Sequence, residues 1–87
     1  MAQINDIEVR CQGSLIAKAK YAELNTPADA HKLTVPKAEW VGSNFKDNLK
    51  YLEKSCQLTG KYPPNGSAYK ATLKLAGIKG GTTLHFD

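Results

Sequence analysis

Long apolar runs are missing from this sequence, and so are internal repeats and low-complexity tracts. A membrane helix needs about 20 consecutive apolar residues; no stretch approaches that length, so we expect no membrane association. Asp6 and Glu8 interrupt the N-terminal segment where a signal peptide would be apolar. We therefore expect a cytoplasmic protein. The 87 residues suit one small domain, and we assign residues 1–87 to it.

Cysteine and histidine are scarce, with two of each. No pair has the C-x₂₋₄-C or H-x₃₋₅-H spacing that is typical of zinc sites, so we predict no metal and no cofactor. Cys11 and Cys56 both fall at inward positions of their predicted elements, where a free thiol behaves as a small apolar side chain. We predict core thiols. A disulfide between them, or metal ligation together with His31 and His85, remains as an alternative.

The sequence also offers no set of converging catalytic groups. No serine or cysteine nucleophile is placed beside His31 or His85, and the carboxylates of Asp6 and Glu8 face lysines. Catalysis needs several groups held together in a pocket. We therefore predict that the protein is not an enzyme.

Positive charge is in excess, and its distribution is uneven. The formal net charge is +4, from 12 basic and 8 acidic residues. Residues 1–43 contain five of each sign, whereas residues 44–87 contain seven basic and three acidic residues. The whole excess lies in the second half of the chain, which hints at an acidic partner.

The segment DIEVRCQGSLIAKAKY, residues 6–21, predicts a β-hairpin. Apolar and polar residues alternate on both sides of a glycine, which is the period of strands with one buried face. A three-residue loop, residues 12–14, lets directly opposed residues share a face. The pairs in this register are Cys11 with Leu15, Val9 with Ala17, Ile7 with Ala19, Glu8 with Lys18 and Asp6 with Lys20.

The segment SNFKDNLKYLEKSCQLTG, residues 43–60, predicts an amphipathic helix. Ser43 suits the N-cap, and Gly60 suits the left-handed residue that ends a helix. Four apolar residues recur at spacings of four, three and four, which makes one stripe. The stripe extends back to Ala38, so a longer helix from about Pro36 stays open. The four residues are Phe45, Leu49, Leu52 and Cys56.

The C-terminal segment AYKATLKLAGIKGGTTLHFD predicts a second hairpin. A four-residue loop, residues 77–80, opposes Leu75 with Thr82 and Leu73 with Leu84, so that apolar residues share a face. The loop matches the G-x-x-G string with which KH domains clamp nucleic acid. In those domains the string joins two helices, whereas here it joins two strands, so we interpret it as a hairpin bend.

Together these elements predict an α+β fold in the order β-β-α-β-β. Two antiparallel hairpins form one sheet, and the amphipathic helix packs on its apolar face. Between the first hairpin and the helix, Thr26-Pro27 indicates one short helical turn. The strand order is not determined by the sequence.

Basic residues are the strongest remaining signal for a binding site. The predicted sheet exposes one set on its polar face, and the predicted helix aligns another at i, i+4 and i+8 along one flank. Outward aromatic residues for base stacking are missing from this arrangement, because all fall on apolar stripes. The candidate binding residues are Arg10, Lys18, Lys20, Lys70 and Lys74 on the sheet, Lys46, Lys50 and Lys54 on the helix flank, and Lys79 in the second hairpin.

We therefore predict a small non-enzymatic binding protein that acts through a surface contact, such as a regulator or inhibitor of a protein partner. The alternative is a nucleic-acid-binding protein that uses the basic sheet face and the Lys46/Lys50/Lys54 flank, with an affinity that falls steeply with salt. Exposed lysines also keep proteins soluble and shield strand edges, so the charge alone does not decide. A free strand edge would let two copies form a homodimer.

Overall fold

The computed structural model describes the backbone of residues 3–26, 29–42 and 44–87, and the side chains of these residues except 25, 26 and 29–31. Within this part of the chain, 66% of the residues lie in strands and 8% are helical, so the protein is nearly all β. The elements are β1 (Gln3–Cys11), β2 (Ser14–Thr26), β3 (Asp29–Val35), β4 (Glu39–Trp40), a 3₁₀ helix (Lys46–Tyr51), β5 (Ser55–Tyr62), β6 (Ser67–Lys79) and β7 (Thr83–Phe86).

Six of these strands form a closed antiparallel barrel. The order around the barrel is β1-β5-β6-β7-β3-β2, and the pairing of β2 with β1 closes it. The short strand β4 adds to β2 outside this ring. The β1–β2 turn, the β6–β7 turn and the 3₁₀ helix lie at one end, which we call the upper end, and the β5–β6 turn lies at the lower end.

The predicted α+β fold is wrong, because residues 43–60 do not form a helix. The 3₁₀ helix Lys46–Tyr51 is six residues long and ends at Leu52, whose ψ of 136° is extended. Glu53 then adopts a positive φ of 68°, and β5 begins at Ser55. No amphipathic helix covers a sheet in the described residues; the core is enclosed by the barrel itself.

Residues 55–62 follow the period of a strand. Cys56 and Leu58 are buried, whereas Ser55 and Gln57 are exposed. The apolar stripe of the predicted helix therefore joined residues of two different elements. Ser43, the predicted N-cap, lies outside the described residues.

The first hairpin is confirmed, with a corrected turn. Its loop has two residues, Gln12 and Gly13, which both have positive φ, 51° and 84°. Cys11 consequently pairs with Ser14. The register then shifts between Arg10 and Val9, so that the predicted pairing is restored from Val9 onwards. The predicted pairs that the structure contains are Ile7 with Ala19, Glu8 with Lys18 and Val9 with Ala17.

The second hairpin is also present, but its register is wrong. Leu73 and Leu75 are buried as predicted. The strand β6 runs on to Lys79, however, so the turn comprises residues 80–82. Leu75 consequently pairs with Phe86 rather than with the beginning of β7.

The predicted helical turn at Thr26-Pro27 is replaced by strands on both sides. Thr26 ends β2 and pairs with Asp29, the first residue of β3. Pro27 itself lies outside the described residues.

The core fills the inside of the barrel with side chains from every long strand. The two cysteines both contribute, so their predicted inward positions are confirmed, but they are not free thiols. Cys11 of β1 and Cys56 of β5 face each other with Cα atoms 4.2 Å apart and form a disulfide. The largest fully buried side chains are Ile4, Ile7, Leu33, Leu58, Leu75, Leu84 and Phe86.

Gly60 lies in β5 where that strand packs closely against β1. A Cβ at this position would lie 2.7 Å from Cγ2 of Ile4 and 2.8 Å from the carbonyl oxygen of Asn5. The glycine therefore permits the close approach of the two strands; it does not end a helix, as the sequence had led us to expect.

We expect Gly60→Ala to lower the free energy of unfolding by about 1–3 kcal/mol, because the added methyl group overpacks the β1–β5 contact. Gly77→Ala is the matched control: Gly77 is also in a strand, and nothing lies within 4 Å of its added Cβ. Chemical denaturation of both variants measures the difference. Equal stability of the two would contradict a steric role for Gly60.

Reduction of the disulfide should also destabilise the fold. The bridge closes a loop between cysteines 45 residues apart, for which the chain-entropy model gives about 4 kcal/mol. Denaturation with and without dithiothreitol measures this loss. A Cys11→Ala/Cys56→Ala double variant should be insensitive to the reductant. A wild-type protein that is equally stable in both conditions would show that the bridge does not constrain the chain.

Tyr69 should make stability depend on alkaline pH. Burial, and secondarily the charge of nearby Tyr62, raises the pKa of Tyr69. The unfolded chain therefore loses this proton first, at about pH 10, and the stabilisation present below that pH is lost as the pH rises further. We expect the unfolding free energy of the wild type to fall more steeply above about pH 10 than that of Tyr69→Phe. Parallel slopes for the two proteins would refute this.

Candidate functional site

The predicted basic residues are exposed in the described structure, apart from the half-buried Arg10. The barrel spreads them over three regions. Arg10, Lys18 and Lys20 lie on β1 and β2, and Lys70, Lys74 and Lys79 lie along β6. Lys46 and Lys50 lie on the 3₁₀ helix, and Lys54 follows it.

The basic sheet face is interrupted by carboxylates. The guanidinium of Arg10 lies 2.7 Å from the carboxylate of Glu8. In the strand register, Lys18 lies opposite Glu8 of β1 on one side and Glu39 of β4 on the other, so it has two acidic neighbours. Charge on this side of the barrel is therefore mixed rather than continuously positive, which weakens its attraction for a phosphate backbone.

Lys74, at the other side of the sheet, forms an ion pair. Its Nζ lies 3.1 Å from Oε2 of Glu53. Both side chains are about half exposed or more, so the pair adds little stability, but it sets a negative charge against that of Lys74. Lys70, four residues before Lys74 on the same face of β6, has Thr59 as its neighbour on β5.

The predicted flank of Lys46, Lys50 and Lys54 does not exist, because there is no α-helix to align it. In a 3₁₀ helix, residues i and i+3 share a side and residues i and i+4 do not. Lys50 lies over the ring of Tyr51, with 5.3 Å between Nζ and the ring centroid. Lys54 follows the end of the helix, where its carbonyl oxygen accepts a hydrogen bond from the N–H of Leu75.

Three apolar side chains are exposed at the upper end of the barrel. Val41 is 38% exposed, Phe45 36% and Leu49 44%. All three belong to the connection between β4 and β5. We call this set the loop surface. It is the feature that sequence reasoning missed, because the predicted helix had placed Phe45 and Leu49 against the sheet.

Hydrogen bonds to the barrel fix the first part of this connection. The N–H of Val41 donates to the carbonyl oxygen of Ile16 at 2.9 Å. The indole N–H of Trp40 donates to the carbonyl oxygen of Gly81 at 2.7 Å. Phe45 packs on the same glycine, since a Cβ at Gly81 would lie 3.4 Å from its ring. The β6–β7 turn thus holds both aromatic residues.

The second part of the connection is fixed by its own polar side chains. The N–H of Asn44 donates to the Asp47 carboxylate, and the N–H of Asp47 donates to Oδ1 of Asn44, both at 3.1 Å. The buried amide of Asn48 donates to the carbonyl oxygen of Asn44 at 2.7 Å. This reciprocal arrangement resembles a capping box. The spacing of Asn44 and Asp47 is the sequence signal that could have indicated that a helix starts at this point.

A cleft of about 450 Å³ lies beside β2. It forms where β2 stops pairing with β4 at Lys18 and begins to pair with β3 at Glu23. Lys37 enters it from the β3–β4 connection with a positive φ of 53°. The wall is of mixed charge and is made by Lys18, Ala19, Lys20, Pro36, Lys37 and Glu39.

The glycine string Gly77-Ile78-Lys79-Gly80 belongs to the second hairpin, as interpreted from the sequence. Gly80 and Gly81 have positive φ values of 62° and 77° and form the turn with Thr82. Lys79 is the last residue of β6.

The described residues contain no cluster of three or more histidine, cysteine or acidic side chains that could hold a metal ion. The two cysteines of the imagined zinc site are bonded to each other, and the side chain of His31 lies outside the described part. In the same residues, no helix has the length and apolar character needed to cross a membrane.

Comparison with known proteins gave no match: no protein-family model, no curated protein and no solved structure matches this chain.

Proposed function

We propose that this protein is a non-enzymatic binding protein whose loop surface, Val41, Phe45 and Leu49, is covered by a protein partner. The observation that carries the proposal is the exposure of three large apolar side chains on a connection that hydrogen bonds hold in place. Single exposed apolar residues are ordinary on protein surfaces. Three such side chains on one connection, beside the half-buried Trp40, are more than isolated exposure and support a contact site there.

The fixed backbone supports this proposal energetically. A binding loop that is already ordered loses less conformational entropy when a partner binds. Aromatic side chains are the usual anchors of protein interfaces, and Phe45 is held against Gly81 with about a third of its surface exposed. Burial of the three side chains by a partner would remove their remaining apolar surface from water.

The charges around the loop surface indicate the chemistry of the partner. Lys46 and Lys50 lie within the same connection, and both are exposed. The nearby carboxylate of Asp47 is engaged by the N–H of Asn44. An acidic rim around an apolar centre on the partner would complement this surface and speed association at low salt. Regulation or inhibition of that partner remains the expected biological role.

Nucleic acid is the alternative. The exposure of Phe45 provides one outward aromatic residue that the sequence had not indicated, with Lys46 next to it. The carboxylates among the sheet lysines argue against the basic sheet face as its site.

The cytoplasmic location stays a prediction, and the disulfide argues instead for an oxidising compartment, where such bridges persist.

Affinity purification from lysate of the source cells tests the proposal. We expect the wild type to retain a protein, identified by mass spectrometry, that Phe45→Ser/Leu49→Ser does not retain. Phe45 also packs on Gly81, so circular dichroism and thermal unfolding must show that the double variant is folded. Leu49→Ser alone, at the more exposed position (44%), is a second variant that should also weaken retention. Tyr62→Ser is the matched control, since Tyr62 is 39% exposed at the lower end of the barrel.

Three outcomes would contradict the proposal. Equal retention by the wild type and by Phe45→Ser/Leu49→Ser would remove the loop surface from the contact. Loss of retention after nuclease treatment, with a gel shift at low salt, would favour nucleic acid. Self-association of the purified protein that the double variant abolishes would make the partner a second copy.

A further inference from the structure

Strand β2 loses one of its neighbours in the middle of its length. Toward the upper end it pairs with β4, and further down it pairs with β3. Both pairings share one register, in which Lys20 would face Lys37. In the described structure, however, residues 19–22 form no pair with residues 35–38. The cleft of about 450 Å³ lies at this gap in the sheet.

The residues that should continue the pairing turn away from β2. Pro36 has no backbone N–H and cannot donate to a neighbouring strand. Lys37 has a positive φ of 53°, which takes the chain out of the extended conformation. The N–H of Ala38 donates at 2.9 Å to the carbonyl oxygen of Thr82, in the β6–β7 turn. The gap is therefore a consequence of the residues in the β3–β4 connection.

The gap leaves backbone groups of Lys20 facing the cleft. The carbonyl oxygen of Ile16 accepts a hydrogen bond from the N–H of Val41, so the backbone groups of Ile16 point toward β4. Residues two apart in a strand point to the same side, which directs the N–H and C=O of Lys20 toward Lys37. No backbone hydrogen bond joins Lys20 to Lys37 in the described structure. The cleft thus offers one N–H donor and one carbonyl acceptor.

Three lysines line the cleft, and none of them forms an ion pair in the part of the chain that the structure describes. The ion pairs present there join Arg10 to Glu8 and Lys74 to Glu53. The wall also contains the carboxylate of Glu39. The nearby acidic residues of β1 lie on the opposite side of β2 from the cleft. The lysines of the wall are Lys18, Lys20 and Lys37.

We propose that this cleft binds a small phosphate ester that also carries hydroxyl groups, such as a sugar phosphate. Lysine ammonium groups and a backbone N–H are donors that bind phosphate oxygens. The carboxylate of Glu39 and the carbonyl oxygen of Lys20 are acceptors, which suit hydroxyl groups rather than phosphate oxygens. The volume of about 450 Å³ is in the range of small-molecule sites.

A polymeric phosphate backbone is a poorer occupant than a small ester. Nucleic acid is attracted by positive charge along an extended surface, whereas carboxylates interrupt the basic residues on this side of the barrel. The three lysines are instead gathered around one concavity. Lys20 and Lys37 occupy opposing register positions, where like charges are unfavourable. A phosphate group between them would offset this repulsion. The cleft shares no residue with the loop surface, so the inference does not depend on the proposed protein partner.

Titration followed by the amide resonances of the protein tests the site. The probe is ribose 5-phosphate, and the control probe is ribose, which has the hydroxyl groups without the phosphate. We expect ribose 5-phosphate to shift the N–H resonances of Ala19, Lys20 and Lys37 saturably, with a dissociation constant of about 1 mM or tighter. Ribose should leave them unchanged. No saturable shift with ribose 5-phosphate, or equal shifts with ribose, would overturn the inference.

Two further probes distinguish the sources of the phosphate group. Inorganic phosphate should bind at least about tenfold more weakly than ribose 5-phosphate, since it has no hydroxyl-bearing carbon skeleton to reach Glu39. Equal affinity would refute the assignment to a phosphate ester. A short oligothymidylate should bind no more tightly than ribose 5-phosphate. Tighter binding of the oligonucleotide through the same resonances would make the ligand a nucleic acid.

Lys37→Gly makes the result specific to this cleft. Glycine adopts the positive φ of this position without strain, so the fold should persist while loss of the ammonium group weakens ribose 5-phosphate at least about tenfold. Lys70→Ala is the matched control, because it removes an exposed lysine of β6 outside the cleft and should bind like the wild type. Thermal unfolding checks that both variants are folded.

Equal affinity of Lys37→Gly and the wild type for ribose 5-phosphate would contradict the role of the lysines. Equal weakening by Lys37→Gly and Lys70→Ala would do the same, since it would reflect net charge rather than the cleft. Phe45→Ser/Leu49→Ser should bind ribose 5-phosphate normally, which separates this site from the loop surface.

Discussion

The pairing of β5 with β1 is the constraint on which the rest of the structure depends. It places Gly60 against Ile4 and Asn5 at a distance that only a glycine tolerates, and it sets Cys11 opposite Cys56, where they form a disulfide. Because β5 occupies residues 55–62, the barrel can close between the two halves of the chain. The connection from β4 to β5 then crosses the upper end within residues 41–54, where the described residues form the 3₁₀ helix Lys46–Tyr51.

The loop surface is a direct consequence of this constraint. In a helix over residues 43–60, the apolar residues at spacings of four, three and four would share one buried face. Once the last part of that segment becomes a strand, Cys56 enters the barrel core, and Phe45 and Leu49 are left on the connection. The same residues that suggested a core helix thus become an exposed apolar group. Hydrogen bonds from Val41, Trp40 and Asn48 hold them in place, which is why we interpret their exposure as functional.

The two hairpins could be predicted because the information for them is local. Alternation identified the buried side of residues 7–11 and 69–75, and the parity of opposed residues gave the pairing of Val9 with Ala17. It failed for β2, where Ile16, Ala22 and Leu24 are buried out of phase with Ala17. The helix could not be excluded in this way, because a stripe at helical spacing runs through residues 45–56. Residues 55–62 form a strand by pairing with β1, far away in the sequence, and with the adjacent β6. The exposure of the lysines was predictable for the same local reason. Their ion pairs were not: Lys74 meets Glu53 only because the chain reverses at that glutamate with a positive φ.

The excess positive charge of residues 44–87 lies partly on the 3₁₀ connection at the upper end and partly on the β5–β6 hairpin. Lys46 and Lys50 belong to the first of these segments, which also carries the exposed Phe45 and Leu49. The same connection therefore presents apolar side chains and positive charge together. This is the combination that an acidic rim around an apolar centre on a partner would complement.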